Sequence, residues 1–239
     1  MKKISILSAV LLISCFMANA QPNGSKDGWA HAYEPRETWP FLYEEFREGT
    51  TRTRSGDLVS GAMFNITVTD SKLLYIKDDT IMLADMGSVY TVGIGDDVYL
   101  NVLGQLYKVV SELDKGIVLM RNALNVDEFN KVKIGYGVSS STGSADGLQV
   151  SLDGRFDFVN MSVQQSRHDK DSGPVLPMKE TLYLYVGSSL IPATQNTVTT
   201  WPGVDRKEAR DFIKQEKIKW KQTESLEKVI IFLDSQFNK

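Results

Sequence analysis

Histidine and cysteine, the side chains that most often serve as catalytic bases, nucleophiles and metal ligands, are rare in this chain. The histidines are His31 and His168, both in polar segments, and the single cysteine is Cys15. A Gly-x-Ser-x-Gly motif, which presents a nucleophilic serine on a sharp turn, does not occur in the sequence. A serine or cysteine hydrolase is therefore disfavoured.

The densest group of possible metal ligands is His168, Asp169 and Asp171, which precede Ser172 and Gly173. The two aspartates have the spacing found at the start of a calcium-binding loop, but the third acidic ligand, the correctly placed glycine and the closing glutamate are missing. A zinc site would need more nitrogen or sulfur ligands than this chain can cluster. We expect a solvated polar loop and no cofactor, with these three residues as the only metal candidates.

Adjacent carboxylates occur at Asp78-Asp79 and at Asp96-Asp97. Glycoside hydrolysis needs two carboxyl groups across one bond, whereas neighbouring residues on a strand point to opposite sides. Both pairs stand where hairpin turns are predicted, and aspartate is favoured there because it hydrogen-bonds to the local backbone. We interpret them as turn residues. An exported hydrolase whose acid and base come from separated strands stays open as an alternative.

Aromatic residues crowd one segment near the N-terminus. They are Trp29, Tyr33, Trp39, Phe41, Tyr43 and Phe46. Tryptophan and tyrosine rings stack on sugars and are frequent in protein-binding hot spots, so Trp29, Tyr33 and Trp39 are the candidate binding residues. The competing interpretation is that these rings pin the segment onto the core, because so many aromatic side chains are difficult to leave exposed.

The candidate residues above need a scaffold that positions them, and the sequence predicts several β-strands. Apolar and polar residues alternate over residues 64–68, the period of a half-buried strand, and a first strand is predicted around Phe41 and Tyr43. Further strands recur every 8–12 residues or so, separated by turns and not by long helices, which is typical of antiparallel sheets. The predicted fold of residues 29–200 is therefore mainly β, with antiparallel hairpins in a sandwich or barrel-like sheet. The predicted turns include Lys77-Asp78-Asp79, Gly95-Asp96-Asp97, Glu112–Gly116 and Gly187-Ser188.

Two segments of this β-rich domain have the composition of long loops. Residues 135–147 are rich in serine and glycine and offer too little apolar surface to order themselves. Residues 164–180 are polar and contain Pro174 and Pro177. We expect both segments to be mobile.

The C-terminal segment, residues 201–239, has the pattern of two helices, so the whole chain is α+β. Asp205 and Glu208 have the spacing of a capping box, and Thr223 is placed to cap the second helix. The second helix carries an apolar stripe, which we expect to pack on the β domain. The stripe consists of Leu226, Val229, Ile230, Leu233 and Phe237.

The first twenty residues have the three parts of a bacterial export signal. Lys2 and Lys3 form the positive end, Ile4–Ser14 is apolar, and Ala18-Asn19-Ala20 is a small-residue cleavage site. The apolar run is shorter than the roughly 20 residues of a membrane-spanning helix, so we expect cleavage and no transmembrane span. Residues 1–20 are then a signal peptide, and the polar residues 21–28 are a disordered tether.

Cys15 offers a different processing route, because Leu12-Ile13-Ser14-Cys15 is similar to a lipobox. Cleavage before Cys15 would leave a lipid anchor on a membrane-anchored lipoprotein, and the intact mass of the mature protein distinguishes the two routes. Formal net charge is −3, and loss of Lys2 and Lys3 makes it two units more negative. A nucleic-acid partner is therefore disfavoured.

Several features together resemble a known group of proteins. The chain resembles uncharacterised secreted and cell-envelope proteins of Bacteroidota. The resemblance rests on the end of the export signal, the β-rich body and two stretches nearer the C-terminus: Ala18-Asn19-Ala20-Gln21 in the signal, Leu182-Tyr183-Leu184-Tyr185, and residues 205–239. The resemblance contains no diagnostic motif and implies no activity.

Export, the missing catalytic motifs and the aromatic segment favour a secreted or periplasmic module that binds a protein or a glycan without catalysis. The exported hydrolase is one alternative. A structural subunit of an envelope assembly is another, and it predicts an exposed apolar sheet edge or patch.

Overall fold

The computed structural model describes residues 33–134 and 159–237. Several predictions therefore lie outside the described residues. They concern the signal peptide, Cys15, the tether at 21–28, Trp29, His31 and the loop at 135–147.

Ten antiparallel strands form one strongly curled sheet, a half-barrel, and confirm the mainly β prediction. Along the chain they are β1 (Arg47–Thr53), β2 (Leu58–Ile66), β3 (Leu73–Lys77), β4 (Thr80–Leu83), β5 (Val89–Ile94), β6 (Asp97–Val102), β7 (Gln105–Leu113), β8 (Gly116–Leu124), β9 (Met178–Val186) and β10 (Ser189–Pro192). Their order across the sheet is β10-β9-β8-β7-β6-β5-β1-β2-β3-β4. Most neighbours in the sheet are thus joined by local hairpins.

Five helices accompany the sheet in the described part of the chain. They are α1 (Val126–Ile134), α2 (Val163–His168), α3 (Gln195–Thr199), α4 (Arg206–Gln215) and α5 (Thr223–Phe237). Asp205 caps α4 as predicted, because its Oδ1 accepts a hydrogen bond from the Glu208 backbone N–H at 2.7 Å. Thr223 is the first residue of α5, one position inside the predicted cap. Within residues 33–134 and 159–237, no helix is long and apolar enough to span a membrane.

Side-chain alternation gives the sheet two faces. Face 1 carries the cross-strand row Tyr99, Lys108, Met120 and Leu182. Face 2 carries the neighbouring row Val109, Leu119 and Tyr183. Helix α5 covers face 1 at β8 and β9, where Leu226, Val229, Ile230 and Leu233 are fully buried against Val118 and Leu184. The predicted apolar stripe of α5 therefore packs on the sheet.

The predicted first strand around Phe41 and Tyr43 is wrong, because β1 begins only at Arg47. Residues 39–46 instead form an irregular segment that crosses the end of the sheet. Trp39 and Phe41 pack on Leu74 and Ile81, which belong to β3 and β4. Aromatic packing overrides the alternating pattern here, since the backbone makes only isolated bridges such as Phe41 with Thr67.

Residues 164–180, predicted as a loop, contain most of α2 and the first residues of β9. Val163 is buried beside Trp39 and Phe41, and Ser166 is buried as well. The segment 160–163 also pairs with β4, since Ile81 N–H donates to Met161 O and Val163 N–H donates to Asp79 O. Tertiary contacts thus order a stretch whose composition is polar.

Strands β7 and β8 separate at one end of the sheet. Their backbone pairing ends at Lys108 with Met120. Beyond this point the turn between β2 and β3 lies between them: Leu106 N–H donates to Ser71 O at 2.8 Å, and Leu124 N–H donates to Val68 O at 2.7 Å. The separation opens a cleft on face 1.

Candidate functional site

The cleft on face 1 has two adjoining chambers. The first has a volume of about 230 Å³ and the second about 340 Å³. Leu42 and Asn122 line both chambers and mark their junction. The first is also lined by Tyr43, Ile66, Ser71, Asp97, Tyr99, Leu106, Lys108, Met120 and Glu180. The second is also lined by Tyr33, Glu34, Pro35, Val175, Leu176, Pro177 and Met178.

A polar network occupies one wall of the first chamber. Tyr43 Oη donates to Asp97 Oδ2 at 2.9 Å and lies 2.5 Å from Tyr99 Oη. The Lys108 ammonium forms an ion pair with Asp97 Oδ1. Asp97 and Tyr99 point to the same face because they are two residues apart in β6, and Lys108 is the cross-strand partner of Tyr99. Both Asp97 oxygens therefore have partners.

Burial keeps both phenols protonated. Burial is the main cause that raises the pKa of Tyr43 above its ordinary value of 10.0, followed by the neighbouring Tyr99. Burial also raises the pKa of Tyr99, and the negative charge of Asp97 adds to this. At neutral pH both side chains thus act as hydrogen-bonding hydroxyls and not as phenolate nucleophiles. Arg47 lies over the Tyr43 ring, with Cζ 4.4 Å from the ring centroid.

Asn122 marks the junction between the chambers. It is the cross-strand partner of Glu180, and both side chains belong to face 1. The Asn122 Oδ1 atom is buried and has no hydrogen-bond partner among the described residues. Leaving a buried amide oxygen unpaired costs about 1–3 kcal/mol. A ligand that donates a hydrogen bond at this point would recover that free energy.

The predicted binding residues have different surroundings. Trp39 has 0% of its surface exposed, and its indole N–H donates to Glu44 O at 2.9 Å. Its ring contributes to the core and presents no free face. Tyr33 is half-buried and lines the second chamber, where its hydroxyl donates to the Trp39 and Phe41 carbonyls. Burial is the main reason that the pKa of Tyr33 lies above its ordinary value, and the nearby negative charge of Glu44 raises it further.

The candidate metal residues lie on the surface, at the last residue of α2 and just after it. His168 and Asp169 are exposed, with His168 Nδ1 3.0 Å from Asp169 Oδ1, and Asp171 is exposed as well. Across residues 33–134 and 159–237, no three histidine, cysteine, aspartate or glutamate side chains are grouped to hold a metal ion.

The role of Asp97 was missed by the interpretation of Asp96-Asp97 as turn residues. Asp96 does lie in the turn, but Asp97 is the first residue of β6. A signal was present in the sequence, since Asp97 and Tyr99 share the two-residue period of one strand face. The partners Tyr43 and Lys108 come from other parts of the chain, and no local spacing predicts them.

The cleft gives little support to a pair of catalytic carboxylates. Asp97 and Glu180 both line the first chamber, but β7 and β8 lie between their strands. Asp97 is also engaged by Tyr43 and Lys108.

No family model, curated protein or solved structure matches this chain.

Proposed function

We propose that this chain is an exported, non-catalytic binding protein that takes a short neutral glycan in the two-chambered cleft. The observation that carries the proposal is Asn122, whose buried Oδ1 has no hydrogen-bond partner in residues 33–134 and 159–237 and lies where the chambers meet. A ligand hydroxyl is the kind of donor that this atom lacks.

The chemistry of the walls fits a sugar. A sugar hydroxyl both donates and accepts hydrogen bonds, and the first chamber presents the acceptor Asp97 beside the donor Lys108. Leu106 and Met120 add apolar surface, which suits the C–H groups of a sugar ring. Small-molecule sites have volumes of roughly 300–1,000 Å³, and the adjoining chambers together are of this size.

Asn122→Ala is expected to weaken glycan binding about tenfold, because the variant loses the amide that pairs with the ligand. A library of neutral oligosaccharides identifies the ligand, and calorimetric titration of the mature protein measures the affinity. The unfolding temperature should not fall below that of the unsubstituted protein, because the lost oxygen has no hydrogen-bond partner among the described residues.

Asn196→Ala is the matched control, because Asn196 is exposed on α3 and its side chain does not line the cleft. It should bind the glycan with unchanged affinity. The proposal fails if no neutral oligosaccharide binds, or if Asn122→Ala and Asn196→Ala bind equally well.

A second candidate function, the structural subunit, is favoured by the free edge of β2. Of β2, only Phe64–Ile66 pair with β3. Residues 58–63 therefore have β1 on one side and no strand on the other among the described residues. Leu58 is 56% exposed and Val59 is 48% exposed. The segment Leu58–Met63 is uncharged, so two copies can pair antiparallel about a two-fold axis without charge repulsion. We therefore propose a second copy of this chain as the occupant of this edge.

Val59→Lys is expected to turn such a dimer into a monomer, because a lysine on an edge strand opposes pairing with another strand. Light scattering after size-exclusion chromatography gives the mass in solution. Leu103→Lys is the control, since Leu103 is 91% exposed in the turn between β6 and β7 and should leave the dimer intact. A monomeric unsubstituted protein at high micromolar concentration would contradict this candidate.

A further inference from the structure

A second groove lies on face 2, on the opposite side of β8 and β9 from the cleft. Its volume is about 380 Å³. The residues that matter for its chemistry are Arg121, Lys179, Thr181, Tyr183, Gln105 and Asp70.

The register of β8 and β9 brings two cations together in this groove. Arg121 pairs with Thr181, and Lys179 is two residues from Thr181 on the same face of β9. Arg121 and Lys179 are therefore diagonal neighbours, with their backbones about 7–8 Å apart. Asn122 and Glu180 alternate with them and point to face 1.

The two cations lack acidic partners among the described residues. Arg121 Nε donates to the buried Ser71 Oγ at 2.9 Å, which orients the guanidinium and leaves its terminal N–H groups available. Lys179 is exposed and forms no ion pair in the described part of the chain. Asp70, the carboxylate of the groove, is already paired with Lys72 at 2.7 Å. The groove thus carries positive charge that no carboxylate of the described segments pairs with.

An aromatic ring stands beside the two cations. Tyr183 lines the groove and is half-buried. The Tyr107 ring meets it edge-on with the centroids 5.1 Å apart, so Tyr183 is held in place. A fixed aromatic surface next to a guanidinium suits a ring-bearing ligand with an oxyanion, since arginine binds carboxylate and sulfate through paired hydrogen bonds.

We propose that this groove binds an anionic sugar. Its carboxylate or sulfate group contacts Arg121 and Lys179, its ring lies beside Tyr183, and its hydroxyls hydrogen-bond to Thr181 and Gln105. The site is separate from the face 1 cleft and does not depend on the function proposed for that cleft.

The test titrates the full mature chain with glucuronate, glucose 6-sulfate, inorganic sulfate and neutral glucose, with calorimetry or protein NMR as the readout. We expect both anionic sugars to bind more tightly than inorganic sulfate, and glucose not to perturb groove residues. Lys179→Gln should weaken anionic-sugar binding about threefold to tenfold, and Arg121→Gln by tenfold or more. Affinity should also fall as salt rises.

Two controls separate this site from general effects. Lys219→Gln removes an exposed lysine outside the groove and should leave the affinity unchanged. Asn122→Ala alters the face 1 cleft and should also leave it unchanged, so the two sites can fail independently. Because Lys179 is exposed, Lys179→Gln remains informative even if Arg121→Gln fails to fold.

Equal binding by Lys179→Gln, Lys219→Gln and the unsubstituted protein would overturn the proposal. So would the absence of binding by either anionic sugar. Binding of inorganic sulfate as tightly as the sugars would overturn the assignment of a sugar, because Tyr183 would then contribute nothing.

Discussion

Trp39→Ala is expected to lower the free energy of unfolding by about 3–5 kcal/mol, the usual cost of removing a buried large aromatic side chain. Trp39 is fully buried, with its ring centroid 4.7 Å from that of Phe41 and 6.1 Å from that of Phe46. The substitution leaves a cavity and also removes the donor to Glu44 O. Urea unfolding followed by circular dichroism measures the loss.

Trp201→Ala is a matched comparison. Trp201 is only partly buried against the apolar core to which α3, α4 and α5 contribute, so its substitution should lower the free energy of unfolding by less. The result distinguishes two roles for Trp39. If Trp39→Ala were as stable as the unsubstituted protein yet lost ligand binding, Trp39 would be a ligand contact and its assignment to the core would be mistaken.

A steep loss of stability above pH 10 is the second large effect, and it arises from Tyr43 and Tyr99. Both are buried, with 7% and 4% of their surfaces exposed. Burial raises the pKa of each in the folded state above the ordinary 10.0, so the folded protein holds two protons that the unfolded chain releases. Each such proton lowers the free energy of unfolding by about 1.4 kcal/mol per pH unit, so the pair contributes about 3 kcal/mol per pH unit. This stabilising contribution is fully present below pH 10 and is lost as the pH rises further.

Urea unfolding at a series of pH values from neutral to strongly alkaline measures this slope. Tyr99→Phe should make it shallower by about 1.4 kcal/mol per pH unit, although the variant loses stability at neutral pH as well. Tyrosinate absorbance provides a second readout. The chain has nine tyrosines, and not all of them should ionise while the protein stays folded. Ionisation of all nine near pH 10 with unchanged circular dichroism would contradict the prediction.

The hairpins were predictable because their information is local. Asp78 and Asp79 have φ values of 49° and 58° in the turn between β3 and β4, a conformation that aspartate tolerates better than most residues. The alternating residues of β5 and β6 flank Gly95, and those of β9 precede Gly187, as the pattern indicates. In each case the turn residue and the two-residue period occur within one short stretch.

The path of the N-terminal segment was not predictable from its pattern. Phe41 and Tyr43 alternate like strand residues, but they belong to different clusters: Phe41 packs with Leu74 on face 2, and Tyr43 packs with Phe64 on face 1. Which sheet surface receives a ring depends on how the sheet curls, and that is a property of distant strands.

The sequence alone determined the strand and turn pattern of the β domain, the cap of α4 and the apolar stripe of α5, because propensity, alternation and capping act over a few residues. Only the tertiary structure decided the candidate sites. Tyr43, Asp97 and Lys108 meet because β6 pairs with β7 and the N-terminal segment crosses beside them. Arg121 and Lys179 meet because of the register between β8 and β9. Contacts of this kind depend on strand pairing and sheet curvature across the chain, which residue type and local spacing do not encode.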